Sequence, residues 1–338
     1  MTKFNINILG TLIISLIAFS PVVDAGCSCS GGTWDPYGFL NSELETGQPV
    51  QSATSGDSAT ADPVGSAKEP IERASTYPNG VILKPMKSVS SSDVVVDVSN
   101  DESYAASHIK DAIHIPSRDF LSSEGSLKTG EDLAGLLGQA GVSNSDSVVL
   151  YAGPESSGQA QFAFFVLNYL GQKEVKILDG SLADWKAAGL PEDVQEKSKP
   201  AVEYSPQVRS DVMAEYDYVK SGQAQIIDVR PFVDFGKGRI PGSIAFDPAN
   251  VVKGDKIKGV GDLTAVFSRL DKEKPIVVYS DDYSRSALVA YALQLMGYQA
   301  SIYSWEDWKA HETTELPAST APAGDDAVGS NYVKLGQT

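Results

Sequence analysis

The sequence predicts an α/β protein made of two tandem units, each a doubly wound parallel sheet flanked by helices. Three observations predict it. Short Val/Ile runs such as Val94-Val95-Val96 and Ile276-Val277-Val278 alternate with longer segments of helical period, as strands and helices of a βαβ chain do. The same order of segments occurs twice. The composition, 42% hydrophobic and 21% charged, is that of a chain able to bury a core.

The N-terminus reads as an export signal over residues 1–26. Lys3 supplies a short positive region, an apolar stretch runs from Ile6 to Val23, and Val23-Asp24-Ala25 suits cleavage after Ala25. Ala25-Gly26-Cys27 also has the look of a lipoprotein processing site with Cys27 as the lipidated residue, although Asp24 stands where an aliphatic residue is wanted. Simple cleavage, lipidation of Cys27 and an uncleaved anchor are the alternatives, and either cleavage or lipidation puts the mature protein outside the cytoplasm. Residues 27–79, rich in Ser, Gly, Thr, Asp and Pro, read as a flexible polar tether, with core-forming strands only beyond Tyr77. Within that tether Trp34, Tyr37, Phe39 and Leu40 form an apolar cluster that would dock on the first domain or on a partner.

Two domains follow, expected at residues 80–191 and 205–316, with a polar linker at 192–204 and a disordered tail at 317–338. Asp97 pairs with Asp228 at an offset of 131, Tyr151 with Tyr279 at 128, and Trp185 with Trp308 at 123, the drift of a duplication with small loop deletions. Gln159 to Leu170 and Ser286 to Met296 carry apolar residues at helical spacing and read as amphipathic helices.

The net charge of −17 argues against a nucleic-acid partner, which calls for a basic face. Contact with a membrane is expected only through the N-terminal signal or lipid. The only two cysteines, Cys27 and Cys29, precede both domains, so the domains have no disulfide framework and no thiol nucleophile. His108, His114 and His311 lack the spacing of a metal site, and neither a metal nor any other cofactor is expected.

The ordered motifs resemble the rhodanese superfamily of sulfurtransferases. Copy one shows Tyr104, His108, Ile109, Ala112, Gly180 and Trp185; copy two shows Asp228, Val229, Arg230, Ile240, Pro241, Gly242 and Trp308. The resemblance implies a strand ending in Tyr, then a loop whose first residue is the catalytic cysteine and whose amides, with the following helix N-terminus, hold a persulfide or oxyanion. Copy one reads Tyr151-Ala152-Gly153-Pro154-Glu155-Ser156-Ser157-Gly158, which puts Ala152 at the nucleophile position. Copy two reads Tyr279-Ser280-Asp281-Asp282-Tyr283-Ser284-Arg285-Ser286, which puts Ser280 there. No catalytic residue is therefore expected. Three uses of the loop Ser280, Asp281, Asp282, Tyr283, Ser284, Arg285 and Ser286 remain open. It could bind a small anion through its amides and Arg285. Ser280 and Asp281 could simply cap the next helix. Ser280 could also serve as a weak hydrolase nucleophile, although no histidine is placed by sequence to be its base. The expected function is an exported, non-catalytic module that binds a small anion or a protein. The alternative is a sulfurtransferase, with Cys27 or Cys29 carrying the sulfur.

Overall fold

A computed structural model describes residues 72–154 and 157–315, all within one compact unit. Cys27, the signal region, most of the tether and the tail lie outside the described residues.

The first repeat runs β1 (Leu83–Pro85), β2 (Asp93–Asp97), α1 (Asp101–Ala106), β3 (His108–Ile109), β4 (Ile113–His114), α2 (Gly130–Gln139), β5 (Ser147–Tyr151), α3 (Gln159–Tyr169), β6 (Glu174–Asp179), α4 (Leu182–Ala187) and β7 (Glu192–Asp193). Its main sheet has the order β1-β6-β5-β2-β4, with every neighbouring pair parallel. Each crossover carries helix or loop, so both faces are covered, which is why β2 and β5 are near-continuous runs of β-branched residues. Side-chain caps fix where helices begin: Asn100 accepts from Ser103 N, Thr129 from Asp132 N, and Ser181 forms a capping box with Asp184.

The second repeat runs α5 (Tyr216–Lys220), β8 (Gln225–Asp228), α6 (Phe232–Lys237), β9 (Ile244–Ala245), β10 (Val252–Lys253), β11 (Lys256–Ile257), α7 (Val260–Val266), β12 (Ile276–Ser280), α8 (Tyr283–Leu295), β13 (Ala300–Ser304) and α9 (Trp305–Glu315). Its sheet, β13-β12-β8-β9, is also parallel throughout. The counterpart of β1 has shrunk to one parallel bridge, Met213 to Ile302.

Helices α3 and α8 depart from the amphipathic expectation. From Ala160 to Leu167 every residue of α3 is buried, and α8 buries nine residues around its circumference. Each helix packs on its own sheet with one side and on the other helix with the opposite side, so neither keeps a solvent face. Across this contact Phe162 stacks on Tyr283 at 5.2 Å and Phe164 meets Tyr291 edge-on at 5.1 Å. One continuous apolar core thus spans both repeats.

Two expected boundaries also move. The tether ends before residue 79, because Ala74 and Tyr77 are buried. The Tyr77 hydroxyl donates to the Lys258 carbonyl (2.7 Å), the Asn79 amide to Leu295 O (2.9 Å), and Arg73 pairs with Asp179 (3.0 Å). This segment clamps both repeats, so a folded fragment has to start near Glu72 rather than Tyr77. Nor is the linker free chain. β7 pairs antiparallel with β3, and Tyr204 is buried with its hydroxyl on Gln172 Oε1 (3.0 Å).

Candidate functional site

In each repeat a carboxylate and a phenol hold the strand ends from which the loops depart. Asp97 Oδ1 accepts from Ser99 N (2.8 Å), and Asp228 Oδ1 accepts from Arg230 N (2.9 Å). The Tyr151 hydroxyl accepts from Ile109 N (2.9 Å), and the Tyr279 hydroxyl accepts from Ile240 N (3.1 Å) while donating to the Asp228 carboxylate. Burial, helped by Asp228, pushes the Tyr279 phenol up to about 12, which keeps it a donor at neutral pH. Burial likewise raises Tyr151.

Repeat two adds a guanidinium to this pair. Arg230 Nη2 lies 2.6 Å from Asp228 Oδ2 and 2.6 Å from the Gly238 carbonyl, and its guanidinium stacks 3.7 Å over the Trp305 ring. Burial works against its charge, but Asp228 outweighs burial and holds it protonated. His108 is fully buried, with Nδ1 2.8 Å from Tyr104 O and Nε2 3.1 Å from Gln195 O, and so ties the end of α1 to the segment after β7.

In repeat one, Ala152 leaves β5 buried in the shared core. Gly158, just before α3, has φ +73°, and a side chain there would collide with the Ser284 carbonyl of the other repeat. The two loops therefore meet where α3 and α8 begin.

Loop two is closed on itself. Ser280, the last residue of β12, is buried, and its hydroxyl donates to Asp281 Oδ1 (3.1 Å) and accepts from Asp282 N (3.2 Å). The helix cap is Asp282, whose carboxylate accepts from Ser284 N (2.8 Å). This corrects the expectation that Ser280 and Asp281 would cap α8: Asp281 instead pairs with Arg285 Nη1 at 3.3 Å, one helical turn on. Tyr283 turns inward onto Phe162, where burial raises its phenol, and buried Ser286 donates to the Tyr283 carbonyl (3.0 Å). No imidazole is among the hydrogen-bond partners of Ser280.

Asp282 and Arg285 line a cavity of about 300 Å³ together with Ser157, Asp247, Pro248 and Leu288. The structure thus brings part of the candidate loop to a cleft between the repeats and turns Ser280, Tyr283 and Ser286 away into the protein. Sequence reasoning missed Asp247 and Ser157. Asp247-Pro248 carries the signal of a capped turn, and Asp247 does cap it by accepting from Ala249 N (2.9 Å), but nothing local places that turn beside loop two. Among the described residues no group of three or more His, Cys, Asp or Glu is arranged to hold a metal, and no helix is long and apolar enough to cross a membrane.

The profile of the rhodanese-like domain matches residues 83–188 and 215–311, the two repeats just described. The chain belongs to the rhodanese-like family. Among rhodanese-like relatives, the sulfur carrier protein TtuD of Thermus thermophilus is 29% identical over 222 residues, spanning 56% of this chain and 75% of that one. SseB of Mycobacterium tuberculosis, whose name as a thiosulfate sulfurtransferase is provisional, is 26% identical over 253 residues, spanning 64% of this chain and 86% of its own. The fold is that of the 3-mercaptopyruvate sulfotransferase SseA of Escherichia coli, with a TM-score of 0.60, 20% identity, and coverage of 66% of this chain and 98% of that one.

Proposed function

We propose that this rhodanese-like chain is an exported, non-catalytic binding module whose ligand or protein partner engages the cleft between the repeats. One observation carries the reading. The residue entering loop two is Ser280, and its hydroxyl is already held between the Asp281 carboxylate and the Asp282 amide. Sulfane-sulfur chemistry runs through a thiolate, and a serine hydroxyl in this setting has neither the charge nor a base to generate it. Ala152, at the same place in repeat one, has no heteroatom to offer.

The lining of the cleft supports the same reading. Asp247 and Asp282 set two carboxylates against one guanidinium, and Arg285 is already paired with Asp281. An anionic sulfur donor meets net negative charge there, and the Asp282 and Ser284 amides of the loop are taken by Ser280 and Asp282. This lining favours a neutral or cationic group over the small anion expected from Arg285 alone. Export rests on the sequence of residues 1–26, and family likeness alone does not establish an activity.

Intact-protein mass spectrometry after incubation with thiosulfate or 3-mercaptopyruvate tests the proposal. The expected result is no cyanide-labile sulfur adduct on the unmutated chain, whose only thiols, Cys27 and Cys29, precede both domains. A sulfur adduct on the unmutated chain that is lost when Cys27 and Cys29 are replaced by Ser would refute it.

A further inference from the structure

Repeat one closes one of its edges with the segment that follows α4. The Pro191 carbonyl accepts from Trp185 Nε1 (2.8 Å) and from Lys110 N (3.2 Å). β7 then pairs antiparallel with β3, in a register that sets Glu192 opposite Ile109 and Asp193 opposite His108. Glu192 also pairs with Lys186 Nζ (2.8 Å). Farther along, Lys197 forms a bridge with Ile113, which is 3% exposed under this strap. The strap reads Leu190-Pro191-Glu192-Asp193-Val194-Gln195-Glu196-Lys197: an aliphatic residue, a proline whose carbonyl meets the indole, then two acids.

Repeat two keeps the receiving half of this arrangement. Trp308 and Lys309 stand where Trp185 and Lys186 do, and Arg239, Ile240 and Ile244 stand where His108, Ile109 and Ile113 do. The matching hydrogen bonds from Ile109 N to Tyr151 and from Ile240 N to Tyr279 fix that register. Among the described residues no strand pairs with Arg239-Ile240, and Ile244 is 53% exposed. Val233, at the position of Glu102, adds exposed apolar surface on α6, the helix that leads into this edge.

Two observations say what fits there. Trp308 is 4% exposed, and its Nε1–H has no hydrogen-bond partner. An indole nitrogen only donates, so this buried group calls for an acceptor, which Trp185 finds in the strap. Pro241 replaces Lys110 and has no N–H, so the indole is the one donor left for that carbonyl. The second observation is charge. Arg239 is exposed, lies over the Phe235 ring at 4.7 Å, and carries a permanent positive charge at the position that faces Asp193 in repeat one. With Lys309 at the position of Lys186, both acids of a strap-like segment would meet cations.

We infer that this edge of repeat two docks an extended segment of a partner protein, an aliphatic residue and a proline followed by two acidic residues. The segment adds antiparallel to Arg239-Ile240, gives a carbonyl to Trp308 Nε1–H, sets its acids against Arg239 and Lys309, and covers Ile244. A second copy of this chain cannot lend its own strap, because residues 190–197 are committed to repeat one. The inference draws on the internal repeat and is independent of the reading of the cleft.

Titration of the 15N-tryptophan-labelled full chain with the synthetic peptide Leu-Pro-Glu-Asp-Val-Gln-Glu-Lys, the sequence of the repeat-one strap, tests it. The Trp308 indole signal is assigned with Trp308→Phe, and Trp185 serves as an internal reference. The Trp308 N–H signal should move and saturate, and its hydrogen exchange should slow on the order of tenfold or more, with Trp185 unchanged. Replacing the Glu-Asp pair of the peptide with two lysines should weaken binding on the order of tenfold, as should Ile244→Lys, a change at an exposed side chain that leaves the core intact. A Trp308 signal that stays still at millimolar peptide, or responds equally to the lysine peptide, would overturn the inference. Trp308 exchange already as slow as that of Trp185 before peptide is added would also overturn it. Such protection would assign the edge to a second copy if it is lost on dilution, and to the chain's own residues beyond Glu315 if it is not.

Discussion

Asp228 and Arg230 form a buried ion pair at the end of β8, with side chains 0% and 3% exposed. Such a pair adds little over a well-packed apolar pair, but removing one partner strands the other charge. Arg230→Met is expected to destabilise the protein by about 3–5 kcal/mol in urea unfolding, because Asp228 would remain buried with only the Tyr279 hydroxyl and the amide of residue 230 to meet it. Repeat one has Ser99 in place of the arginine and fixes its strand ends through Asp97 and Tyr151 without a guanidinium. At this scale the sequence was partly legible. The Asp-Val-Arg and Tyr-ended strand motifs identify Asp228, Arg230 and Tyr279 as the posts of the loop. Which loop side chains face the cleft was not legible, because Asp281, Asp282 and Arg285 sort themselves by a local competition for amides and charges. Three polar residues in a row, Ser280, Asp281 and Asp282, with Arg285 one turn on, can settle that competition in several ways. Asp247 was invisible for a different reason: its nearness to the loop is created only when the chain folds.

Among the elements, α4 ties the two repeats together. Asp184 completes the capping box with Ser181 and reaches Lys256 Nζ on β11 at 2.8 Å. Burial disfavours its charge, but Lys256, the Ser181 amide and the Ser181 hydroxyl prevail and hold the carboxyl below its usual range. A carboxyl depressed on folding stabilises the protein above its unfolded pKa, near 4, and loses that contribution as pH falls through the lower folded value. The difference in melting temperature between wild type and Asp184→Asn should therefore be present at neutral pH, equivalent to at most about 1 kcal/mol for so exposed a pair, and close below about pH 4. A difference that persists unchanged in acid would mean that the charge contributes nothing. Element order and type were well marked in the sequence because buried parallel strands demand β-branched runs. The all-round burial of α3 was misread. Phe162, Phe164 and Phe165 already cover more than one face, but only the docking of a second repeat explains where the extra apolar surface goes.

For the molecule as a whole, duplication has produced two unequal halves of one core. Repeat one has the complete five-stranded sheet and strapped edge, and repeat two has the better preserved family motifs and most of the cleft. We propose that this rhodanese-like scaffold is retained without sulfur transfer. The most direct test is the rate of thiosulfate-to-cyanide sulfur transfer by the purified protein, measured beside Ser280→Cys alone and Ser280→Cys combined with Asp281→Asn and Asp282→Asn. The unmutated protein should show no turnover above background. Ser280→Cys should gain a small rate, held back by the two carboxylates beside the new thiol, and the triple variant should gain a larger one with Arg285 released from Asp281. Robust turnover by the unmutated protein, persisting when Cys27 and Cys29 are both replaced, would contradict the account.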